Sequence, residues 1–556
     1  MLHTLFLLIS LLAQEGSTPP QPPQAAERPA ALPDLTVPGR GRAGMDVRHY
    51  RLEMAIDPTR RFVEATATLE LELLEDQEAL ELDFHHMFEV IATRVDGRLL
   101  EAQQVPHLLR IPGKRPFPAG RSIELEVIYR GLFPQDESQG DVVGMLHDGR
   151  SVVAYLEPDG AHHFFPCNDH PSDKASYELI IDVPEGQLAA GIGELVEEGP
   201  SPRPGYHRAI WRTDIPTASY LVALGVGPWV RIERTGASVP IWDYCEEEDR
   251  ERIEKALSSV PAMMTFFEAR FGPYPFEKYG HMLTRKWIGG MEDQTLSVLG
   301  RTEALSGDQA LLAHELAHQW FGNLVSPYQW RDLWLNEGWA TWAELLWFEE
   351  RDPQQAAQLL EGWRRSTFRL AMREHPHTLA APDPASLFDG LLVYDKGGMV
   401  IHLLDEYLGR ERFLKAARHY LAQHARGNAR TLDFRTALEQ STGEDLEPFF
   451  AAWVEANTLP AIDWELSSIE QVDGPAGQSG PPLWKVQISA RQEGAFHPMS
   501  LALELQGASE DERERVPLRF VRPQITSSVT VRFRPTGAQL DPEKRAPWVP
   551  AEPSED

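Results

Sequence analysis

The spacing of apolar residues changes twice along this chain, and that change constrains its fold more than any other feature. From Tyr50 apolar and polar residues alternate: Tyr50, Leu52, Met54 and Ile56, then Ala65, Ala67, Leu69, Leu71 and Leu73, then Leu80, Leu82 and Phe84. Alternation marks a half-buried strand, because successive side chains leave opposite faces of an extended backbone. Short runs of this kind continue to about Val230. Beyond Glu246 the spacing becomes helical, over residues 250–271, 308–321, 332–350, 353–373 and 394–408. After Pro460 alternation returns in Trp484/Val486/Ile488, Met499/Leu501/Leu503/Leu505, Val516/Leu518/Phe520 and Val529/Val531/Phe533. The expected fold is multidomain α+β: an N-terminal all-β domain over residues 44–235, a mostly helical domain over 236–460, and a small C-terminal β-sandwich over 461–547, followed by a tail at 548–556. A length of 556 residues is well beyond a single hydrophobic core.

The first residues have another character. Leu5 to Ala13 form an apolar run of signal-peptide length, too short to span a bilayer, so residues 1–16 read as a signal peptide and the chain as exported, periplasmic or secreted. The alternative is a frayed apolar start, since no Lys or Arg precedes the run. Residues 17–43 carry Pro19, Pro20, Pro22, Pro23, Pro29, Pro33 and Pro38 and read as an extended linker. No other segment has transmembrane length. Asp and Glu number 84 against 53 Lys and Arg, a formal charge of -31 that repels phosphate backbones and argues against a nucleic-acid partner. With only Cys167 and Cys245, a disulfide framework and a Cys-based metal site are excluded.

Residues 311–321 have helical spacing and are apolar almost all round, with Ser306 and Gln309 placed like a capping box and Gly322 at the far end. On such a helix His314 and His318 lie one turn apart on one face, with Glu315 beside them. Two rings and a carboxylate on an apolar helix are costly unless something satisfies them, and a divalent cation does. Core histidines bonded to carbonyls are the alternative. Eighteen residues after His318 comes Glu337, on a second apolar helical segment able to pack antiparallel to the first. Two His and one Glu leave a coordination position open, the arrangement of a catalytic zinc site. Glu344, seven residues after Glu337, shares its face and is a candidate acceptor for a ligand imidazole, or else a surface carboxylate.

His314-Glu-Leu-Ala-His-Gln-Trp-Phe-Gly-Asn-Leu-Val325 with Asn336-Glu-Gly-Trp-Ala340 resembles the aminopeptidase N family of gluzincin metallopeptidases. The likeness extends through Phe165-Pro-Cys-Asn-Asp169, Phe271-Gly-Pro-Tyr-Pro-Phe276, Gly289-Gly-Met-Glu-Asp293 and Tyr394-Asp-Lys-Gly397, and covers most of residues 46–460. The resemblance implies a thermolysin-like catalytic domain, one Zn²⁺ per chain on His314, His318 and Glu337, and peptide substrates with a free N-terminus. It assigns Glu315 as general base and Tyr394 as the hydrogen-bond donor to the oxyanion. It sets Gly289, Gly290 and Met291 beside the substrate backbone, and Glu292 and Glu157 on its terminal amine. Without the resemblance, Tyr394 reads as a core-facing aromatic and residues 289–293 as a turn. Three features depart from the family: Asp293 stands for its usual Asn, Tyr155 for a common Gln in the first side-chain pocket, and the large terminal helical domain does not follow the sandwich. The alternative activities are hydrolysis of a non-peptide substrate such as a lipid epoxide, and silent peptide binding.

Overall fold

The structure is a computed structural model and describes residues 34–138, 141–286, 289–374, 377–472 and 482–551. The expected signal peptide, most of the linker and the end of the tail lie outside the described residues. The alternating segments form strands whose apolar side chains face inward: Tyr50, Leu52, Ile56, Ala67, Leu69 and Leu73 are all buried. Met45–Asp57 sits near the middle of an eight-stranded sheet, antiparallel to Phe62–Leu73 on one side and parallel to Lys174–Pro184 on the other. A separate five-stranded sheet carries Val152–Tyr155, the strand that leads into Glu157.

The helical region begins with a third sheet of five mixed strands, in the order Trp229–Arg234, Ile241–Glu246, Tyr279–Thr284, Ser297–Gly300 and Gly290–Met291. Gly290–Met291 is its edge, antiparallel to Ser297–Gly300. Helices follow at Gln309–His318, Trp334–Glu349, Pro353–Ala371 and Gly397–Leu408. Two expected helices are divided. Residues 250–271 fold as Arg250–Ala256 and Val260–Phe271, because Pro261 lacks an N–H and suits the first turn of a new helix. Residues 394–408 start with a wider π-helical turn, Gly390–Lys396, which carries Tyr394 before Gly397–Leu408 continues as α-helix. The C-terminal strands pair in two small sheets, one around Ala461–Val472 and Leu483–Glu493, the other around Met499–Gln506. No described helix is long and apolar enough to cross a membrane.

The β-rich region and the helical region meet through hydrogen bonds that fix the floor of the site. Gln294 Nε2 donates to Thr217 Oγ1 (2.7 Å), Gln294 N–H to the Leu221 carbonyl (3.0 Å), and Lys174 Nζ to the Asn323 carbonyl (2.9 Å). Within the helical region, Trp334–Glu349 and Gly397–Leu408 touch backbone to backbone. A Cβ on Gly338 would lie 2.8 Å from the Gly397 carbonyl carbon. Only glycine at both positions permits that approach.

Candidate active site

The helix Gln309–His318 is capped by Asp308, whose carboxylate accepts the N–H groups of Ala310 (3.0 Å) and Leu311 (3.3 Å). The expected cap at Ser306 is not used, because Ser306 ends the preceding helix and donates to the Glu303 carbonyl. One turn of helix brings the His314 and His318 rings to 4.7 Å between centroids. Glu337, from Trp334–Glu349, places Oε2 at 3.1 Å from His314 Nε2 and 3.5 Å from His318 Nε2.

The far nitrogen of each ring is held by an acceptor. His314 Nδ1 donates to Glu344 Oε1 (2.8 Å) and His318 Nδ1 to the Phe321 carbonyl (3.0 Å). When a ring is neutral, donation at Nδ1 leaves the lone pair on Nε2, the nitrogen that faces Glu337. Glu344 is therefore a half-buried partner of the His314 ring.

Acidic side chains outnumber basic ones in the site. Burial pushes the Glu337 carboxyl up, but the His318 and His314 rings override it and hold the group at about 2. Burial raises Glu315 to about 8, against the pull of the same rings. Glu157 lies well above the ordinary carboxylate value, through burial and then through repulsion from Glu292, Glu337 and Glu315. Glu157 Oε1, Glu292 Oε1 and Glu315 Oε2 are buried with no hydrogen-bond partner among the described residues. Orphaned acceptors of this kind are the mark of a site built around a cationic ligand. Two imidazole nitrogens and a carboxylate oxygen, mutually within 4.8 Å, suit zinc with one position left for solvent or substrate.

A cavity of about 380 Å³ opens over these donors, lined by Tyr155, Glu157, Gly289, Gly290, Met291, Glu292, His314, Glu315, His318, Glu337, Glu344 and Tyr394. Leu311 and Phe388 line it too, and neither was singled out from the sequence. The Tyr394 ring stacks on His314 at 6.0 Å between centroids. Asp293 is the one expected substrate residue that does not line the cavity. The chain turns there, with the Leu296 N–H bonding back to the Asp293 carbonyl (3.0 Å), and the Asp293 side chain is fully buried. Burial, then repulsion from Glu292 and Glu315, holds its carboxyl well above the ordinary value. Gln319 and Asn323 were missed as well. Their side-chain amides donate to the Glu292 carbonyl at 3.2 and 2.7 Å and fix its backbone. Gln319 directly follows the helix and Asn323 lies in the turn after it.

A His-Glu-x-x-His helix, a glutamate ligand on the next helix and an open cavity above them define a zinc site of the metallopeptidase class. Residues 255–453 match the peptidase family M1 domain and residues 47–221 the peptidase M1 N-terminal domain, and the chain belongs to peptidase family M1. It is similar to aminopeptidase M1-B of Oryza sativa subsp. japonica, 31% identical over 61% of this chain and 41% of the relative. Aminopeptidase N of Streptomyces lividans is 30% identical over 70% of this chain and 49% of the relative. The chain thus spans less than half the length of these curated relatives. Among solved structures, an M1 zinc metallopeptidase from Deinococcus radiodurans superposes with a TM-score of 0.68 and 27% identity, covering 77% of this chain and 98% of that one. A variant of that enzyme has been solved with a Tyr-Ser-Ala substrate bound. The family accounts for the zinc cofactor that the donor set suits.

Proposed function

We propose that this protein is an aminopeptidase that removes the N-terminal residue from peptides. The observation that carries this reading is the grouping of Glu157, Glu292 and Glu337, whose carboxylate oxygens lie within 4.8 Å of one another, with Glu337 also facing His314 and His318. A substrate α-ammonium offers three donors and a positive charge, and Glu157 and Glu292 offer buried acceptors that lack partners. An amine anchored there would sit close to the His-His-Glu donors, as removal of a single N-terminal residue requires. The substrate-bound relative, with its short peptide, is consistent with this.

His314, His318 and Glu337 would hold the zinc. When bound, zinc supplies Lewis-acid chemistry, polarising a carbonyl and lowering the pKa of water. A dication on the neighbouring ligands would offset the burial that raises Glu315 and favour its ionised form, and Glu315 would then take a proton from the attacking water and return it to the leaving amine, one carboxylate serving as base and then acid. Tyr394 donates its phenolic hydrogen to the carbonyl oxygen as negative charge builds there. Burial holds that phenol well above its ordinary value, so it keeps its proton at working pH. Gly290–Met291 is the edge of its sheet among the described residues, and the peptide adds to it as a further strand. Gly290 leaves space for Glu315: a Cβ there would lie 2.2 Å from Glu315 Oε1.

The mixed five-stranded sheet flanked by helices supports a thermolysin-like arrangement for residues 236–460, with the β-domain at 44–235 and the sandwich at 461–547. The apolar run Leu5 to Ala13 supports export. Glu315→Gln tests the reaction scheme: kcat falls by about 10²–10⁴-fold while the zinc content is unchanged. Acetylating the α-amine of a good substrate abolishes cleavage; efficient hydrolysis of the blocked peptide would show an endopeptidase instead.

A further inference from the structure

A second cluster of histidines lies in the β-rich region, and none of its members lines the cavity described above. His85 follows the strand Gln77–Asp83, His107 lies in the turn between Gln103–Val105 and Leu108–Phe117, and His163 ends the short helix Ala161–His163. One nitrogen from each lies within 4.8 Å of the others, the same criterion that unites His314, His318 and Glu337. Ring centroids are 4.8 Å apart for His85 and His107, 4.9 Å for His85 and His163, and 6.0 Å for His107 and His163. His85 and His163 are buried, whereas His107 is half-buried and gives the cluster a route to solvent.

Neighbouring groups orient one of these rings as they would a metal ligand. His162 Nδ1 donates to Asp169 Oδ2 (2.9 Å), and the other Asp169 oxygen accepts from Ser219 (2.9 Å). The His162 lone pair is then on Nε2, which faces His107 Nδ1 at 2.9 Å. His107 Nδ1 must carry the hydrogen, and its own lone pair lies on Nε2. A carboxylate that orients a ligating imidazole is the usual outer support of a metal site, here passed through one extra ring. Burial and the nearby Arg40 hold His162 far below its ordinary value, so the relay stays neutral. His85 Nδ1 accepts the Met87 N–H at 3.2 Å, a long contact that ligation exchanges for the ion.

Among the described residues, two more groups meet the same distance criterion. His402, Asp405 and Glu406 are already served by cations, since Arg410 binds Asp405 and Arg545 binds Glu406. Glu157, Glu292 and Glu337 belong to the peptide site. We propose that His85, His107 and His163 form a second metal site, a three-imidazole cradle for zinc or another late first-row dication, with solvent as the fourth ligand. Three neutral nitrogen donors exclude Mg²⁺ and Ca²⁺, which require oxygen. Small ring rotations bring the donors to a shared ion at about 2.0–2.1 Å. The ion ties together three segments distant in sequence, among them the turn that follows Glu157, and acts as a structural brace.

Metal analysis of the full-length protein after zinc supplementation and removal of excess tests this. About two zinc ions per chain are expected in the unaltered protein, about one in His107→Ala, about one in His318→Ala and none in the double variant. Added zinc raises the unfolding midpoint of His318→Ala but not that of the double variant. A single equivalent in the unaltered protein with none in His318→Ala overturns the proposal and leaves the catalytic zinc intact. Should His107→Ala fail to fold, His107→Cys loaded with Co²⁺ provides the readout. A thiolate-to-cobalt charge-transfer band supports ligation at this position, and a spectrum identical to that of the unaltered protein overturns it.

Discussion

Gly338→Ala sets two effects of known sign against each other. Gly338 lies inside the helix Trp334–Glu349, where alanine alone would add about 1 kcal/mol of helix stability. Its Cβ, however, would lie 2.8 Å from the Gly397 carbonyl carbon, 3.0 Å from its Cα and 3.1 Å from its oxygen. Carbon atoms prefer separations of about 3.5–4.0 Å, so the two backbones must part by about 0.7 Å. The obstructing atoms are main chain and have no rotamer to change, which puts the cost toward the upper part of the about 1–3 kcal/mol typical of overpacking. Overpacking wins, and a net destabilisation of about 1–2 kcal/mol is expected. The effect on rate is larger. Glu337 precedes Gly338, and Tyr394 lies three residues before Gly397, so the shift separates the proposed metal ligand from the proposed oxyanion donor. Displacement of this size costs about 10²-fold in rate, or about 2.7 kcal/mol of transition-state stabilisation. Steady-state kinetics on an amino-acid anilide, a thermal melt and a zinc assay on the same preparation measure all three quantities. A variant that melts higher than the parent and retains kcat within about twofold would refute the reasoning, because helix propensity would then outweigh the contact.

Glu344→Gln keeps an acceptor for His314 Nδ1 but removes its charge, and should weaken zinc about tenfold in a chelator competition; Glu344→Ala leaves a buried N–H unpaired and should weaken it about 100-fold. Equal zinc affinity in parent and both variants would show that Glu344 does not support the ligand. Asn323→Ala removes the 2.7 Å donor to the Glu292 carbonyl and should raise KM for free-amine substrates about tenfold with a smaller change in kcat, so unchanged KM counts against a role in amine binding. Burial pushes Lys278 from 10.5 down to about 7 in the folded chain. Between those values the unfolded chain binds the extra proton, so stability rises with pH across that window, by at most about 1.4 kcal/mol per pH unit from this group. Lys278→Met removes that contribution, and an identical slope of stability against pH in denaturant titrations of parent and variant would contradict it.

Much of this protein was legible before any coordinates, because some relations are set by the backbone over a few residues. Alternation at Tyr50 to Ile56 and Ala65 to Leu73 reads directly as strands, since side chains on an extended chain have no other periodicity. The pairing of His314 with His318, and the shared face of Glu337 and Glu344, follow from the helical repeat in the same way. Local choices between near-equivalent options were less legible. Ser306 and Asp308 can both cap a helix, and the choice fell to Asp308 only because an earlier helix extends to Ser306. Residues 250–271 carry continuous apolar spacing, yet the chain restarts its helix just before Pro261.

By itself, the sequence determined the periodicity of its elements, the i, i+4 histidines and the glutamate that joins them in one group of donors. Tertiary structure alone decided that Glu157, from the β-rich region, meets Glu292 and Glu337 from elsewhere in the chain, that Asp293 is buried out of the cavity, and that His85, His107 and His163 converge. The physical reason is range. Bond geometry dictates what residues a few positions apart can do, whereas the approach of distant segments depends on how whole hydrophobic faces pack, to which every residue of the core contributes at once.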